Sequence, residues 1–374
     1  MIEILIALIT IDYVIFIGLI IYGFDKIKVF EYQECTPITT FSIIVPFRNV
    51  ERFFLDLLNS ISNLNYPKEL FEIIVVDDAS GDTSAKIFNT WRFQNGLIPT
   101  TLLENLRLTK SPKKDAISRA VPIVKNEWIL TTDADCVVPQ NWLLTIDSYL
   151  QANEISMLAG AVNYKTKPWN LLHIFQQMDL MSLQGTTIGS FGLQKAFMCN
   201  GANFGYKKSF FNELRGFAGN ENLASGDDVF LLQKAIKNAP EQVHYLKNKD
   251  VVVSTNSEVN IKNLFQQRLR WASKTSSYDS FFAKALAVIV LLMNCTLVVG
   301  FSLIFIQNLN WQIFLTVFLI KFIFDFVLLF KTHRFLGNSK FLFPILSSLM
   351  YPFFCSIVGI CSLFGSFSWK GRKF

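Results

Sequence analysis

Long apolar stretches at both ends of the chain constrain its fold more than any other feature of the sequence. Ile2–Phe24 is almost continuously apolar, Ala285–Ile306 carries no charged residue, and Trp311–Phe330 is a third such stretch. Each is close to the roughly 20 residues that a helix needs to cross a bilayer. Charged residues make up only 17% of the chain, below the roughly 25% typical of soluble domains. We therefore expect transmembrane helices on both sides of a polar central region, the first over residues 1–24.

The few charged residues in and beside these stretches predict how the helices are arranged. Lys26 and Lys28 follow the first stretch, and because Lys collects on the cytoplasmic side, we expect the C-terminal end of this helix in the cytoplasm. Asp12 is costly in lipid and should face another helix. Lys321 and Asp325 are four residues apart and can pair on one helix face, where Asp12 can join them.

The C-terminal membrane region is predicted to cover residues 281–374. Its last apolar part, Phe341–Phe367, contains Pro344 and Pro352 and precedes a basic tail. One crossing would place that tail outside, against the positive-inside tendency. We therefore predict a re-entrant or interfacial hairpin over residues 341–367, buried against the other helices.

Between the apolar ends, short apolar runs alternate with amphipathic segments. Phe41–Val45 is predicted to be a buried strand that Pro46 breaks, and Phe71–Val76 is predicted to be the next strand. Residues 50–64 place apolar side chains at i, i+3 and i+4, the spacing of a helix that packs on a sheet. Strands that alternate with helices favour a mostly parallel α/β sheet. We predict one cytoplasmic domain over residues 36–255.

Acidic pairs follow two of the predicted strands. Asp77 and Asp78 come directly after the second strand, and Asp133 and Asp135 follow the strand Glu127–Thr131. Parallel sheets bind ligands at the carboxyl ends of their strands, and paired carboxylates are typical ligands of hard divalent cations. A site for a metal and the phosphates that it neutralises is one interpretation. An acidic surface turn is the other, because Asp-x-Asp alone is common.

Two helix starts also carry charged side chains. Lys113 and Lys114 open one helix, where lysines can reach phosphate oxygens, and Asp227 and Asp228 open another. The simpler interpretations are a solvated helix start and acids that stabilise the positive end of a helix dipole. Farther along, residues 256–280 are predicted to form an amphipathic, basic, Trp-bearing helix that lies in the membrane interface.

Cysteine, histidine and net charge argue against other chemistries. The six cysteines form no Cys-x-x-Cys pair, so they are expected to be reduced, packed thiols. The three histidines lie far apart without metal-ligand spacing, which argues against a zinc site or a His-based triad. The formal net charge is +6, and basic residues cluster beside the apolar ends, which favours an anionic membrane surface over nucleic acid.

Several short motifs occur in one order along the chain. They are Pro-x-x-Asn, Val-Val-Asp-Asp-x-Ser-x-Asp, a Lys before Ala116, Asp-Ala-Asp, Gly-Asp-Asp and Gln-x-x-Arg-Trp, at residues 46–49, 75–82, 114, 133–135, 226–228 and 267–271. Together they resemble the membrane-bound family 2 glycosyltransferases, the group that includes cellulose, chitin and hyaluronan synthases and ceramide glucosyltransferase. The resemblance covers roughly residues 39–280, and the flanking apolar stretches also suit it.

This resemblance implies a glycosyltransferase A-type, Rossmann-like α/β domain, a nucleotide-sugar donor, Mg²⁺ or Mn²⁺, and inversion at the anomeric carbon. Asp78 matches the residue that reads the uracil ring, with Asp77 beside it. Asp133 and Asp135 match the pair that holds the nucleotide and the metal. Of the two, Asp135 is expected first as the direct metal ligand. Lys114 matches a residue that binds the donor.

The resemblance also implies a base and a closing element. Asp228 matches the general base, although the family often has Glu-Asp where this chain has Asp227-Asp228, which leaves the role of Asp227 open. Gln267, Arg270 and Trp271 match the signature that closes over the diphosphate and the acceptor.

The predicted activity is metal-dependent transfer of a sugar from a nucleotide-sugar to a hydroxyl of a membrane lipid or lipid-linked acceptor. Among nucleotide-sugars, a UDP-sugar is the expected donor. A metal and an Arg can neutralise the leaving diphosphate, and a carboxylate can take the acceptor proton. A processive polysaccharide synthase is the alternative with the same chemistry, and a non-catalytic membrane scaffold is the alternative of another class. The protein would be integral to the membrane, the inner or plasma membrane if bacterial, with a cytoplasmic catalytic domain.

Overall fold

The computed structural model describes residues 2–165, 170–221, 223, 225–306, 309–337, 344–364, 368–369 and 372–373. The chain divides into two compact units. The sheet unit comprises Lys28–Lys165 and Met198–Asn256, and the helical unit comprises Met1–Ile27, Thr166–Phe197 and Ser257–Phe374.

Twelve α-helices are numbered along the described residues. They are α1 (Ile2–Lys26), α2 (Phe54–Ser62), α3 (Ser84–Gln94), α4 (Pro112–Ala120), α5 (Trp142–Ala152), α6 (Leu171–Gly192), α7 (Lys208–Glu213), α8 (Asp227–Asn238), α9 (Ile261–Ala272), α10 (Phe281–Phe305), α11 (Trp311–Leu336) and α12 (Pro344–Phe364). The strands are β1 (Phe41–Phe47), β2 (Phe71–Asp77), β3 (Thr100–Glu104), β4 (Trp128–Thr131), β5 (Met157–Gly160), β6 (Val162–Tyr164), β7 (Phe204–Lys207), β8 (Val243–Leu246), β9 (Val253–Thr255), β10 (Ser368–Trp369) and β11 (Arg372–Lys373).

A seven-stranded sheet with the order β3-β2-β1-β4-β7-β5-β8 forms the centre of the sheet unit. Its strand pairs are parallel except for those of β7, which runs antiparallel to β4 and β5. β1 and β2 are buried at nearly every position, as expected for parallel strands covered on both faces. Apolar side chains of α2, α3 and α5 complete this core, among them Leu57, Phe88, Trp91 and Trp142. The predicted mostly parallel sheet is thus present.

β1 continues through Pro46 instead of ending before it. The Thr132 N–H donates to the Ile44 carbonyl at 3.3 Å, so Ile44 and, two residues later, Pro46 direct their backbone groups toward β4. β4 ends at Thr131, which is the register partner of Ile44. Because β4 ends there, a backbone N–H at position 46 would have no hydrogen-bond partner on that strand. Proline, which lacks this N–H, is therefore tolerated in β1.

Four helices among the described residues are long and apolar enough to cross a membrane: α1, α10, α11 and the part of α12 from Ile345. The first three correspond to the three predicted apolar stretches. The predicted hairpin over 341–367 is wrong for residues 344–364, which form one helix with Pro352 inside it. Proline is tolerated within membrane helices because neighbouring groups can satisfy the freed carbonyl. Residues 341–343 and 365–367 lie outside the described part of the chain.

The prediction for Asp12 is also wrong. Asp12 is exposed, whereas the next residue, Tyr13, is buried and donates its hydroxyl to Asp325. The buried positions of α1 repeat every three or four residues, and this stripe includes Tyr13 but not Asp12, which is rotated about 100° from it. The predicted pair of Lys321 and Asp325 is present.

α6 belongs to the helical unit, although its sequence lies inside the predicted domain of residues 36–255. It packs closely on α1 because both helices present glycine. A Cβ at Gly189 would lie 2.4 Å from the Ile20 carbonyl oxygen, and one at Gly192 would lie 1.8 Å from the Gly23 carbonyl oxygen. Gly185 allows a second close approach, to α11, where a Cβ would lie 2.5 Å from Thr332 Oγ1.

The predicted interfacial helix of residues 256–280 is shorter in the structure. α9 begins after Asn260, whose side chain accepts a hydrogen bond from the Asn263 N–H at 2.8 Å, and it ends at Ala272. An Asn in this position satisfies one of the amides that a helix start leaves unpaired. A short 3-10 turn, Thr275–Ser277, follows before α10.

Candidate active site

The turn after β4 brings two carboxylates and a thiol together. The ligand atoms of Asp133, Asp135 and Cys136 all lie within 4.8 Å of one another. Burial raises the pKa of the Cys136 thiol well above its usual value, and the charges of Asp135 and Asp133 add to this effect. A protonated thiol is a poor ligand for a hard cation, so the donor set that fits a divalent metal here is the pair of partly exposed carboxylates.

The start of α8 places the second acidic pair. Gly226 precedes the helix with φ +88°, a left-handed conformation that glycine adopts without strain. Asp228 accepts a hydrogen bond from the Gly201 N–H at 2.8 Å through Oδ2, and its Oδ1 accepts one from the Val229 N–H at 2.8 Å. Two backbone amides therefore orient this carboxylate. Asp227 is buried.

Lys113, in the first turn of α4, joins the two acidic pairs. Its Nζ lies 2.7 Å from Asp133 Oδ1 and 3.2 Å from Asp227 Oδ2. Burial alone would lower the pKa of Lys113, but the charges of Asp133, Asp227 and Asp228 outweigh it and hold this pKa well above the usual value. The side chain is therefore a fixed cation between the turn after β4 and the start of α8.

Gly201 lies beneath this cluster and allows it to close. A Cβ at this position would lie 2.9 Å from Lys113 Nζ, closer than real Cβ atoms approach, and 3.1 Å from Asp227 Oδ2, a tight contact. The Gly201 carbonyl accepts a hydrogen bond from Thr131 Oγ1 at 2.8 Å. The end of β4 thus fixes the Gly201 turn, and this turn in turn orients Asp228.

Lys114, the lysine that the sequence motif selects, makes different contacts. Its side chain is buried, and its Nζ donates to the backbone carbonyls of Asn220 at 2.7 Å and Leu223 at 3.1 Å. These bonds tie down the segment that leads to Gly226. The lysine that contacts the acids is therefore Lys113. The sequence pattern identified Lys113 only as part of a helix start that carries two lysines. Donor binding by Lys114 stays a prediction.

The end of β2 holds the first acidic pair in a network that the sequence did not reveal. Asp78 is buried, and its Oδ1 accepts hydrogen bonds from Arg107 Nε at 2.6 Å and from Asn105 Nδ2 at 2.9 Å. Arg48 Nη1 donates to the Asp78 carbonyl at 2.6 Å. Asp77 Oδ1 accepts from the Ser80 N–H at 2.9 Å. Asn105 and Arg107 follow directly after β3, which is the parallel neighbour of β2. This position at the same edge of the sheet is the sequence signal from which their contacts with Asp78 could have been predicted.

The Gln-x-x-Arg-Trp residues lie on α9 in the helical unit. Gln267 Nε2 donates to Glu258 Oε1 at 2.8 Å, and the Gln267 Oε1 accepts from Arg268 Nη1. The Arg268 guanidinium lies 4.2 Å from the centre of the Trp271 ring. Arg270 and Trp271 are partly buried. The roles carried over to Gln267, Arg270 and Trp271 stay predictions.

Comparisons with known proteins identify similar sequences. Residues 42–215 match the sequence profile of Glycosyl transferase family 2. The poly(ribitol-phosphate) beta-N-acetylglucosaminyltransferase TarS of Staphylococcus aureus is 30% identical over 118 residues, which are 32% of this chain and 20% of TarS. The beta-monoglucosyldiacylglycerol synthase of Trichormus variabilis is 27% identical over 171 residues, which are 43% of this chain and 35% of the synthase.

The fold is also found in a solved structure. The mannosyltransferase PcManGT of Pyrobaculum calidifontis, in complex with GDP-Man and Mn²⁺, superposes with a TM-score of 0.57 and 16% identity, over 97% of this chain and 99% of PcManGT. The predicted fold class, a glycosyltransferase A-type sheet domain with flanking apolar helices, is confirmed. This chain matches only 20% of the length of TarS and 35% of the length of the beta-monoglucosyldiacylglycerol synthase.

Proposed function

We propose that this chain, whose residues 42–215 match the profile of Glycosyl transferase family 2, is an inverting glycosyltransferase. It would transfer a sugar from a nucleotide-sugar, with a UDP-sugar as the first donor to test, to a hydroxyl of a membrane lipid or lipid-linked acceptor. The observation that carries the proposal is the cluster in which Lys113 contacts Asp133 and Asp227 while the Gly201 amide orients Asp228. The turn after β4, which carries Asp133, suits a diphosphate. The start of α8, which carries Asp228, suits proton transfer.

The leaving-group side of the reaction is assigned to the turn after β4. Bound by Asp133 and Asp135, Mg²⁺ or Mn²⁺ would supply the positive charge that stabilises a departing nucleoside diphosphate. Lys113 adds a second positive charge that is already fixed in place by two carboxylates. A fixed charge needs no reorganisation as negative charge develops on the leaving group, which is the condition for strong electrostatic stabilisation.

The acceptor side is assigned to Asp228. A hydroxyl becomes a nucleophile only when a positioned base takes its proton as the new bond forms. The amides of Gly201 and Val229 fix the carboxylate plane of Asp228, and Asp227 pairs with Lys113 instead. A base on the acceptor side and cations on the leaving-group side favour a single displacement, which inverts the anomeric carbon.

A membrane acceptor is supported by two observations. Four described helices are long and apolar enough to cross a membrane, which indicates membrane association. One relative is named as a synthase of a glucosylated diacylglycerol, a lipid product. Lys26, Lys28 and the positive-inside tendency favour a cytoplasmic location for the sheet unit.

Asp228→Asn tests the assignment of the base. The amide has the same shape, and its one carbonyl oxygen can still accept the Gly201 hydrogen bond although not the Val229 bond as well. Nucleotide binding should therefore persist while sugar transfer falls by about 100-fold or more. Nucleotide affinity is measured by calorimetry and transfer by release of nucleoside diphosphate. Asp250→Asn, at an exposed position outside the cluster, is the matched control and should leave both unchanged. Wild-type turnover in Asp228→Asn would contradict the assignment.

A further inference from the structure

α6 contacts the segment before α9 through polar side chains in the interior of the helical unit. His173, Gln176 and Asp179 recur at intervals of three residues, so they share one face of α6. His173 Nδ1 lies 3.0 Å from Ser257 Oγ. Gln176 and Asp179 are both buried. This face differs from the glycine-bearing contact between α6 and α1 described above.

Gln176 fixes Glu258 by pairing with its backbone. The Gln176 amide donates to the Glu258 carbonyl at 3.0 Å and accepts from the Glu258 N–H at 2.8 Å. The Glu258 side chain in turn accepts from Gln267 Nε2 at 2.8 Å. Two successive contacts therefore run from the N-terminal third of α6 to one end of the Gln267 amide.

Asp179 reaches the same amide from the other side. It accepts a hydrogen bond from Arg268 Nε, and both side chains are only 5% exposed. Arg268 Nη1 donates to Gln267 Oε1, and the guanidinium packs against the Trp271 ring. Both polar atoms of the Gln267 amide are thus held, so its orientation is determined by Glu258 and Arg268 together.

A buried ion pair of this kind is a poor means of stabilising a helix contact. Removing two charges from water is costly, and apolar side chains of similar volume usually stabilise a buried contact equally well or better. What the pair supplies is geometry, because a guanidinium held at Nε by Asp179 has its remaining N–H groups and its flat face aimed in defined directions. Those directions lead to Gln267 and Trp271.

We propose that Asp179 is a positioning residue for sugar transfer, which acts through Arg268 to hold Gln267 and Trp271 of α9 in a single arrangement. This inference rests on the proposed function, since it matters only if Gln267 and Trp271 serve the donor or acceptor. In this proposal α6, which lies between β6 and β7 in the sequence, supports the reaction by orienting side chains of α9.

Two kinds of variant separate positioning from simple stabilisation. Asp179→Asn leaves the buried Arg268 charge without its carboxylate and should lower both Tm and kcat. The double variant Asp179→Asn/Arg268→Gln contains neither charge, so its Tm should return toward the wild-type value. Its kcat should stay about 10- to 100-fold low, because Gln267 and Trp271 have lost the guanidinium that orients them, and a small misplacement of substrate-positioning groups costs up to about that much.

A matched control and a conservative variant complete the test. Lys321→Gln/Asp325→Asn removes a comparable ion pair within α11 and should retain wild-type kcat. Arg268→Lys keeps the charge without the planar fork, so it should fold and still lose kcat while donor KM changes little. A wild-type kcat in the Asp179/Arg268 double variant or in Arg268→Lys would overturn the inference. If the wild-type protein releases no nucleoside diphosphate from any donor, the proposed function fails instead.

Discussion

Replacing Lys113 by Met tests whether the cluster at the sheet edge depends on this ammonium. Methionine keeps an unbranched side chain of similar length but removes the charge that lies 2.7 Å from Asp133 Oδ1 and 3.2 Å from Asp227 Oδ2. Asp227 would then keep its negative charge in a buried position with Asp228 and Asp133 nearby. Both the stability of the sheet unit and the electrostatics of the site should change.

The size of each effect follows from the exposure of the groups. Breaking a fully buried ion pair costs about 3–5 kcal/mol. The Lys113 side chain is 20% exposed and that of Asp133 is 42% exposed, so solvent screens part of the interaction. We expect a loss of about 1–3 kcal/mol in the free energy of unfolding. Loss of a preorganised charge at a leaving group typically lowers kcat by about 100- to 1,000-fold, and we expect that range here.

Lys114→Met is the matched comparison, because the two lysines are adjacent in sequence and differ in contacts. Lys114 bonds to the carbonyls of Asn220 and Leu223, so its loss should lower stability by about 1–3 kcal/mol with a smaller fall in kcat. Stability is read from thermal melts in detergent and kcat from nucleoside diphosphate release. Full turnover in Lys113→Met, or loss of donor affinity in Lys114→Met at wild-type stability, would refute this reasoning and favour the sequence motif.

Two further predictions concern the metal and the helical unit. Asp135→Asn should shift the Mn²⁺ titration of turnover to concentrations about 10- to 100-fold higher, because one carboxylate ligand becomes a neutral amide; an unchanged titration curve would exclude Asp135 as a ligand. Gly189→Ala places a Cβ about where the structure leaves only 2.4 Å to the Ile20 carbonyl oxygen, so α1 and α6 must separate, and thermal melts should show a loss of about 1–3 kcal/mol; a wild-type melting temperature would contradict the close contact.

Sequence patterns predicted the sheet and its acidic edges because those features follow from simple periodicity. Apolar runs identify the buried strands, and acids directly after β2 and β4 must lie at the carboxyl edge of a parallel sheet. Rotation about a helix axis is harder to predict. Lys113 and Lys114, like Asp12 and Tyr13, are about 100° apart on their helices, and packing decides which one faces its neighbours.

α6 shows a different limit of sequence analysis. Its buried face includes Gln176 and Asp179, so its apolar pattern is weak. These side chains are satisfied by Glu258 and Arg268, which lie more than 80 residues away in sequence. No local pattern reports such a partner. The same holds for Arg107, whose contact with Asp78 depends on β2 and β3 being neighbours.

The most direct test of the central claim uses the purified full-length protein in lipid vesicles with Mn²⁺ and a panel of labelled nucleotide sugars. We expect release of nucleoside diphosphate from at least one donor, its loss when the metal is chelated, and transfer of the labelled sugar into a low-mass product that partitions with the lipid. A labelled product that is a long soluble polymer would contradict the lipid acceptor. No turnover of any nucleotide sugar in these vesicles would contradict the assignment of this chain as a glycosyltransferase.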